Sequence, residues 1–338
     1  RQSIRAKSFD ALRGLLPAAA QSNVGIYGSG QAYEALLLRL RAHPLPEARA
    51  YADDMLHELR KVIPSFLKRV DVPDRGGAWS NYLATNRSAM SEVAERLFDG
   101  RVDSEGDAAV RLVDWDPEAE TKMIAAMLAP HTHLSDATLL AEVAAMGADD
   151  RRAVVAAYVG QRSNRRHKPG RGLERVNYRF EVVADYGAFR DLQRHRMMTI
   201  EWQNLTPHHG YLRPAEVDDA GAAAEYDRAM ATSAGLHDLL ARQFPDRASY
   251  AVALAYRVRF VMNLNAREAM HLTELRSAPQ GHVSYRVVAQ QMHRAIAEQA
   301  GHRLVAEMMS YVDHGSGVEL ERLEAERRAE ARRGAAAE

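Results

Sequence analysis

The chain has 338 residues, no Cys, and 45 basic against 45 acidic residues, a formal net charge of +0 at pH 7. The lack of Cys excludes disulfides, thiolate metal sites and cysteine nucleophiles, including methyltransferases that first add a thiolate to their substrate. Balanced charge offers no bulk electrostatic grip on nucleic acid, and 46% hydrophobic with 27% charged residues is the composition of an ordinary globular chain with room for more than one domain.

Residues 1–70 read as helical after a short irregular start, with "AYEALLLRLRA" (32–42) and then "PLPEARAYADDMLHELRKVIPSFLKRV" (44–70), which opens on prolines suited to a first helical turn. "DVPDRGGAWSNY" (71–82) reads as a loop, followed by a short amphipathic helix at 87–98, and "FDGRVDSEGD" (98–107) as a linker. "AVRLVDW" (109–115) is a strand candidate, and "DPEAETKMIAAML" (116–128) starts a helix on Asp and Pro. Helices continue to about residue 160, and "SNRRHKPGRG" (163–172) is a basic, turn-rich loop. In "RVNYRFEVVADY" (175–186) Val176, Tyr178, Phe180 and Val182 alternate as in a half-buried strand, and "YRVRFVM" (256–262) alternates again. Residues 214–244 give one or two helices, two more follow in 267–312, and the tail 316–338 is a charged helix with Glu–Arg pairs four apart. No long uncharged apolar run marks a membrane span, and no secretory signal is visible. A cytoplasmic protein is expected, although the chain opens at Arg1 without an initiator Met and a lost leader stays open.

A weak internal repeat relates 30–59 to 267–296. At one fixed offset Leu38-Arg39 meets Leu275-Arg276, Arg49 meets Arg286 and Met55 meets Met292. The expected organisation is therefore the C-terminal part of a degenerate first repeat (1–85), a linker (86–107), a complete second repeat (108–315) and the tail (316–338).

The stretch "RHRMMTIEWQNLT" (194–206) carries the densest functional signal. Arg contacts phosphate through two parallel donors, and a His between two arginines can hydrogen-bond or stack on a planar ring, so the triplet could grip a dinucleotide. The alternative is a solvated edge in which Arg190, Arg194 and Arg196 pair with acids such as Asp185 and Asp191. His131 with His133, and His208 with His209, lie in turn-like segments without a third convergent ligand, so no metal site is expected.

Residues 108–315 resemble the flavin-dependent thymidylate synthase family. Arg194, His195 and Arg196 match its Arg-His-Arg; Asn265 and Arg267 match its Asn-x-Arg; His271 stands where it has Asn or His; and Arg276 falls at the spacing of a downstream Leu-Arg pair. The resemblance implies an α/β (α+β) fold, helix-rich around a central sheet and arranged here in tandem. It implies FAD held by Arg194, His195, Arg196, Asn265, Arg267 and His271, with Arg276 facing and polarising the pyrimidine. The implied reaction is reductive methylation of dUMP to dTMP, using methylenetetrahydrofolate and NADPH, with no cysteine nucleophile. Two repeats in one chain imply a homodimer in place of the family's tetramer.

The departures fall on the nucleotide side. The Ser that follows the family's triplet after seven residues is Asn204 here, with Gln203 before it; a nucleotide-contacting Arg is Thr206, the usual Tyr is Pro207, and a flavin-touching His is Arg175 with His167 nearby. "ALRGLLP" (11–17) resembles the family's Ala-Arg-x-x-Leu-Pro, so Arg13 is expected to supply a nucleotide contact from the first repeat. Gly28, Gly30 and Ala35 stand where that repeat's flavin contacts would be. The expectation is a flavin-dependent enzyme; a catalytically impaired flavin-binding or assembly protein, or a flavoenzyme with a changed acceptor, is the alternative.

Overall fold

The computed structural model describes residues 2–98, 101 and 109–315. Its elements in chain order are α1 (Gln2–Leu12), α2 (Gly30–Arg41), α3 (Pro46–Arg60), α4 (Pro64–Leu67), α5 (Ala78–Phe98), β1 (Ala109–Trp115), α6 (Ala119–Leu128), α7 (Asp136–Ala145), α8 (Ala148–Val159), β2 (Asn177–Asp185), α9 (Tyr186–Leu192), β3 (Met198–Trp202), α10 (Ala215–Asp219), α11 (Ala223–Gln243), β4 (Arg257–Asn265), α12 (Ala266–Arg276), α13 (Val283–Arg294) and α14 (Arg303–Met308). This is the expected helix-rich α/β chain, with one antiparallel four-stranded sheet in the order β1-β2-β4-β3. Among the described residues no helix is long and apolar enough to cross a membrane.

The described residues form two compact units: 2–18, 109–235 and 252–315 in the larger, 19–98, 101 and 236–251 in the smaller. In the larger unit β2 and β4 pair along their full lengths, from Asn177 against Asn265 to Asp185 against Arg257. The alternation seen in the sequence follows from one buried sheet face: Val176, Tyr178, Phe180 and Val182, like Val258, Phe260, Met262 and Leu264, are all buried. Helices α12 and α13 pack on this sheet, and α6, α7 and α8 extend the same core through Met123, Ile124, Leu139 and Val155. The smaller unit has its own core of Leu37, Leu38, Ala52, Leu56, Leu67 and Val70.

Several sequence expectations need correction. Residues 44–70 are not one helix: α3 stops at Arg60 and α4 restarts at Pro64, because Pro64 has no N–H to continue the ladder and disfavours helical backbone at Ile63. Residues 71–82 are not all loop. Pro73–Gly77 is a single wide turn that runs straight into α5, so Trp79–Tyr82 are helical and the helix expected at 87–98 is only the C-terminal half of a 21-residue one. Helix begins at Gln2, and the irregular stretch lies later, at 19–29. Residues 198–202, left without a strand, form β3 on the edge of the sheet. Within the expected first repeat, residues 2–18 cluster with the larger unit and the rest with the smaller; α5 runs through 86–98, and linker residues 99–100 and 102–107, with the tail 316–338, lie outside the described residues. Gly30 has a packing reason of its own: a Cβ there would come within 2.4 Å of the Phe66 ring.

Candidate functional site

Two segments of the larger unit build the site: the loop between α9 and β3, which carries Arg194, His195 and Arg196, and helix α12. Asp185 ends β2 and starts α9 by accepting the Ala188 N–H at 2.9 Å, and the Ser284 hydroxyl of α13 donates to its other oxygen. Leu192 and His195 are buried, and the His195 N–H donates to the Leu192 carbonyl at 3.1 Å, so the loop turns inward at the histidine while Arg194 and Arg196 stay exposed. Asn265 caps α12 by accepting the Glu268 N–H at 2.9 Å.

The two segments meet in a closed network. Arg276 Nε donates to His195 Nε2 at 3.1 Å, and His195 Nδ1 lies 2.7 Å from Glu268 Oε1. A guanidinium can only donate, so Nε2 must accept; the imidazole proton then sits on Nδ1 and is donated to the carboxylate. Arg276 Nη2 donates to the Asp191 carbonyl at 2.6 Å, and its guanidinium lies 5.4 Å from the centre of the Tyr285 ring. The Asp191 carboxylate is shared by Arg194 at 3.1 Å and Arg276 at 3.5 Å. His271 completes the cluster, its ring centre 5.1 Å from that of His195. Burial holds His271 below the ordinary histidine range, helped by the charges of Lys168 and Arg165 and opposed by Glu268. It is therefore neutral at pH 7, in a field made positive by the basic loop 163–172.

His195, Glu268 and His271 also bring one ligand atom each to within 4.8 Å of one another. The histidines weighed for a metal in the sequence were His131, His133, His208 and His209; His195 and His271 were named there for the flavin, and Glu268 is the member that went unnoticed. A cation bound through His195 Nδ1 would have to displace the proton shared with Glu268 while Arg276 holds Nε2, and it would sit beside a fixed positive charge. The donor set therefore suits a hydrogen-bond network better than a metal ion.

An open cavity adjoins the network, with Arg13, Asp185, Asp191, Tyr226, His282 and Tyr285 among its lining. Asp191 and Tyr285 are the partners of Arg276, so this guanidinium stands directly behind the cavity wall. Arg13 reaches the cavity because residues 14–18 run along 252–255: Ala255 N–H donates to the Gly14 carbonyl at 2.8 Å, Leu254 N–H to Leu16 at 2.9 Å, and Ala18 N–H to Val252 at 2.8 Å. The close approach needs glycine, since a Cβ on Gly14 would lie 2.8 Å from the Tyr226 hydroxyl. Arg13 is half exposed and, among the described residues, is paired with Asp10 at 3.4 Å. In the smaller unit a wider cleft is lined by Arg41 and Arg60, but Asp53 and Asp71 already neutralise them.

The other candidate residues are placed differently. Arg267 is turned to the Pro169 carbonyl at 3.1 Å and Glu174 at 3.5 Å. Gln203 is tied to β4 through the Arg259 carbonyl and contacts His209 at 3.3 Å, while Asn204 is exposed. Thr206 Oγ1 accepts the His208 N–H at 3.4 Å. Arg175 pairs with Asp136 at 2.6 Å, and His167 is bound within its own loop. Of the solvated-edge alternative, the Arg194–Asp191 pair is present, whereas Asp185 serves as a helix cap. Sequence reasoning missed Glu268, Tyr285, Arg165 and Lys168, and named Asp191 as an acid of the solvated edge without its bond to Arg276. Only the basic run 163–172 gave a signal for Arg165 and Lys168.

Residues 111–301 match the model of the family described as thymidylate synthase complementing protein. The chain is 37% identical over 330 residues to a UPF0159 protein of Chlamydia pneumoniae, covering 97% of this chain and 61% of that protein. It is 38% identical over 330 residues to a UPF0159 protein of Chlamydia muridarum, covering 97% and 62%, and 32% identical over 331 residues to one of Thermoplasma acidophilum, covering 96% and 63%. It thus spans less than two thirds of the length of these relatives. Among solved structures it is similar to the UMP/dUMP methylase PolB from Streptomyces cacaoi: bound with 5-Br dUMP at 17% identity and a TM-score of 0.48, and bound with 5-Br UMP at 18% and 0.45, each over 63% of this chain and 100% of that one.

Proposed function

We propose that this chain, which belongs to the thymidylate synthase complementing protein family, is part of a flavin-dependent enzyme that methylates a pyrimidine nucleotide, dUMP to dTMP. The observation that carries the reading is the Arg276–His195–Glu268 network, which fixes the family's two motif segments to each other at the wall of a cavity that Arg13 also lines.

The donor set fits an anionic, phosphate-bearing cofactor such as FAD. Arg194 and Arg196 are exposed and able to take a pyrophosphate, and Arg165 and Lys168 add positive potential beside His271. Asn265 and His271 lie along α12 toward the same loop, whereas Arg267 must first leave Glu174. FAD would carry reducing equivalents from NADPH to the one-carbon unit of methylenetetrahydrofolate. The chain's own contribution is electrostatic. Arg276, held over the Tyr285 ring, stabilises negative charge on the pyrimidine ring as it develops, with no covalent addition by the protein. Arg13 would hold the nucleotide phosphate from the cavity.

Thr206 and Asn204 favour a second reading. Thr206 lacks the charge of the Arg it replaces in the family pattern and is occupied as a turn cap, and Asn204 offers an amide where the pattern has the small hydroxyl of Ser. Losing one charged hydrogen bond to phosphate costs about 1.5–3 kcal/mol, roughly one to two decades of affinity. Weak dUMP binding and slow turnover, or a different acceptor, then follow unless Arg13 compensates.

The tandem arrangement has its own support. Arg49 donates to the carbonyls of His43 and Pro44, both at 2.7 Å, in the turn between α2 and α3. Arg286, its partner in the sequence repeat, donates to Ser277 at 3.2 Å and Pro279 at 3.5 Å in the turn between α12 and α13.

The test is FAD content after purification, followed by calorimetric titration of dUMP and a tritium-release assay. Arg194→Ala and Arg196→Ala together should strip most of the flavin, and undiminished FAD would sink the assignment. Full-rate dTMP formation would remove the second reading.

A further inference from the structure

The nucleotide reading leaves open what fixes the position of Arg276, and the structure assigns that task to Glu268, acting through His195. Glu268 lies in the first turn of α12 and Arg276 in its last. Eight residues of helix separate them by about 12 Å, too far for direct contact. His195, inserted from the α9–β3 loop, spans the gap with one ring nitrogen on each.

A neutral imidazole has one donor and one acceptor nitrogen. Only the tautomer with its proton on Nδ1 can accept from Arg276, and only an acceptor opposite Nδ1 selects that tautomer. Glu268 is that acceptor, and it is itself held. Its N–H is bound to the Asn265 cap, its side chain is 8% exposed, and a carboxylate near a helix N-terminus is favoured by the unpaired N–H groups there. Were the proton on Nε2, two N–H groups would face each other between His195 and Arg276. The guanidinium would then lose its Nε partner and shift, with Asp191 alone left to hold it near Tyr285 at the cavity wall. Glu268 is thus a positioning residue, and it need not touch nucleotide or flavin.

The experiment uses the whole 338-residue chain with selective ¹⁵N labelling, comparing Glu268→Ala and Glu268→Gln with the parent. In the parent, His195 should show the Nδ1–H tautomer and Arg276 a protected Nε–H signal. Glu268→Ala should shift His195 toward Nε2–H and lose the protected Arg276 signal. Glu268→Gln keeps an amide oxygen opposite Nδ1 and should retain both, which also covers the case in which the alanine variant fails to fold. Titration with dUMP should show about tenfold weaker binding for Glu268→Ala, the low end of what one charge-assisted hydrogen bond is worth, and no more than about threefold for Glu268→Gln. An Nε2–H tautomer in the parent, or an unchanged Arg276 signal in a folded Glu268→Ala, would overturn the assignment. So would tautomer loss with dUMP affinity intact. If the parent does not bind dUMP at all, the nucleotide reading falls, and the tautomer and Arg276 signals still decide the role of Glu268.

Discussion

Removing one member of the Arg162–Glu274 pair is expected to destabilise the larger unit by about 3–5 kcal/mol, the range for leaving a buried charge unpaired. The geometry places the pair at the strong end of ion pairs. Nη1 and Nη2 of Arg162 donate to Oε1 and Oε2 of Glu274 respectively, each at 2.7 Å, and the two side chains are 4% and 2% exposed. Arg162 also donates to the carbonyls of His167 at 2.7 Å and Met308 at 2.9 Å and stacks 5.0 Å from the Tyr311 ring centre, while Glu274 accepts the Tyr311 N–H at 3.3 Å. One pair therefore ties the basic loop, α12 and the segment after α14 together. Neither Arg162→Met nor Glu274→Gln can restore the lost charge, and domains of this size have only about 5–15 kcal/mol in total.

Urea unfolding followed by circular dichroism measures the loss. The double replacement Arg162→Met/Glu274→Leu should lose clearly less than the sum of the single changes, because it removes both charges from the interior instead of stranding one. A single-variant loss below about 1 kcal/mol would mean the pair is solvated and would refute the reasoning. The same variants should loosen the loop that brings Arg165 and Lys168 to His271, so the His271 titration should move back up toward its ordinary value.

Acid should destabilise the protein through His302 and His271, both held below the ordinary histidine value of 6.5 chiefly by burial. The unfolded chain binds these protons first, so their contribution is complete above about pH 6.5 and is lost as pH falls toward the folded-state values, by up to about 1.4 kcal/mol per pH unit for each group. Urea midpoints between pH 7.5 and 5.5 should show a shallower slope for His302→Gln than for the parent; an equal slope would count against the assignment. Gly14→Val puts a side chain where a Cβ would already lie 2.8 Å from the Tyr226 hydroxyl, so it should displace the segment that carries Arg13 and weaken dUMP binding at least as much as Arg13→Ala. Calorimetry on both variants checks this, and a Gly14→Val protein with parental affinity would separate Arg13 from the nucleotide.

The strands were legible because each of β2 and β4 buries one face, which forces alternate residues to be apolar. Where structure depends on backbone rather than pattern, the sequence was a poorer guide. The turn at Pro73–Gly77 looked like a loop, yet Gly76 lets the chain pass so close to the Val70 carbonyl, where a Cβ would lie at 2.2 Å, that the helix starts at once. Edge strand β3 is only five residues long and pairs with β4; Met198, Thr199, Ile200 and Glu201 do alternate between half-buried and exposed, but so short a run is easily passed over beside the motif that precedes it. In the site, Arg194, His195 and Arg276 carried a recognisable spacing. Glu268 did not, because an acidic residue in the first turn of a helix is commonplace and says nothing of a histidine 73 positions away.

That difference bears on what the motif spacing means physically. Residues 265, 268, 271 and 276 recur along α12 at intervals that keep them toward one side of the helix. As a pattern they could be four independent contacts to a ligand. In the folded chain Asn265 holds the Glu268 N–H, Glu268 holds His195, His195 holds Arg276, and His271 packs against the His195 ring. A substitution at any of them disturbs the next, so their effects on ligand binding should not be additive. Arg194 and Arg196, by contrast, are exposed on their loop, Arg194 tied to the network through the Asp191 carboxylate that it shares with Arg276. The buried network sets the shape of the site, and the exposed arginines are the groups that can turn to an anion, Arg194 by leaving Asp191.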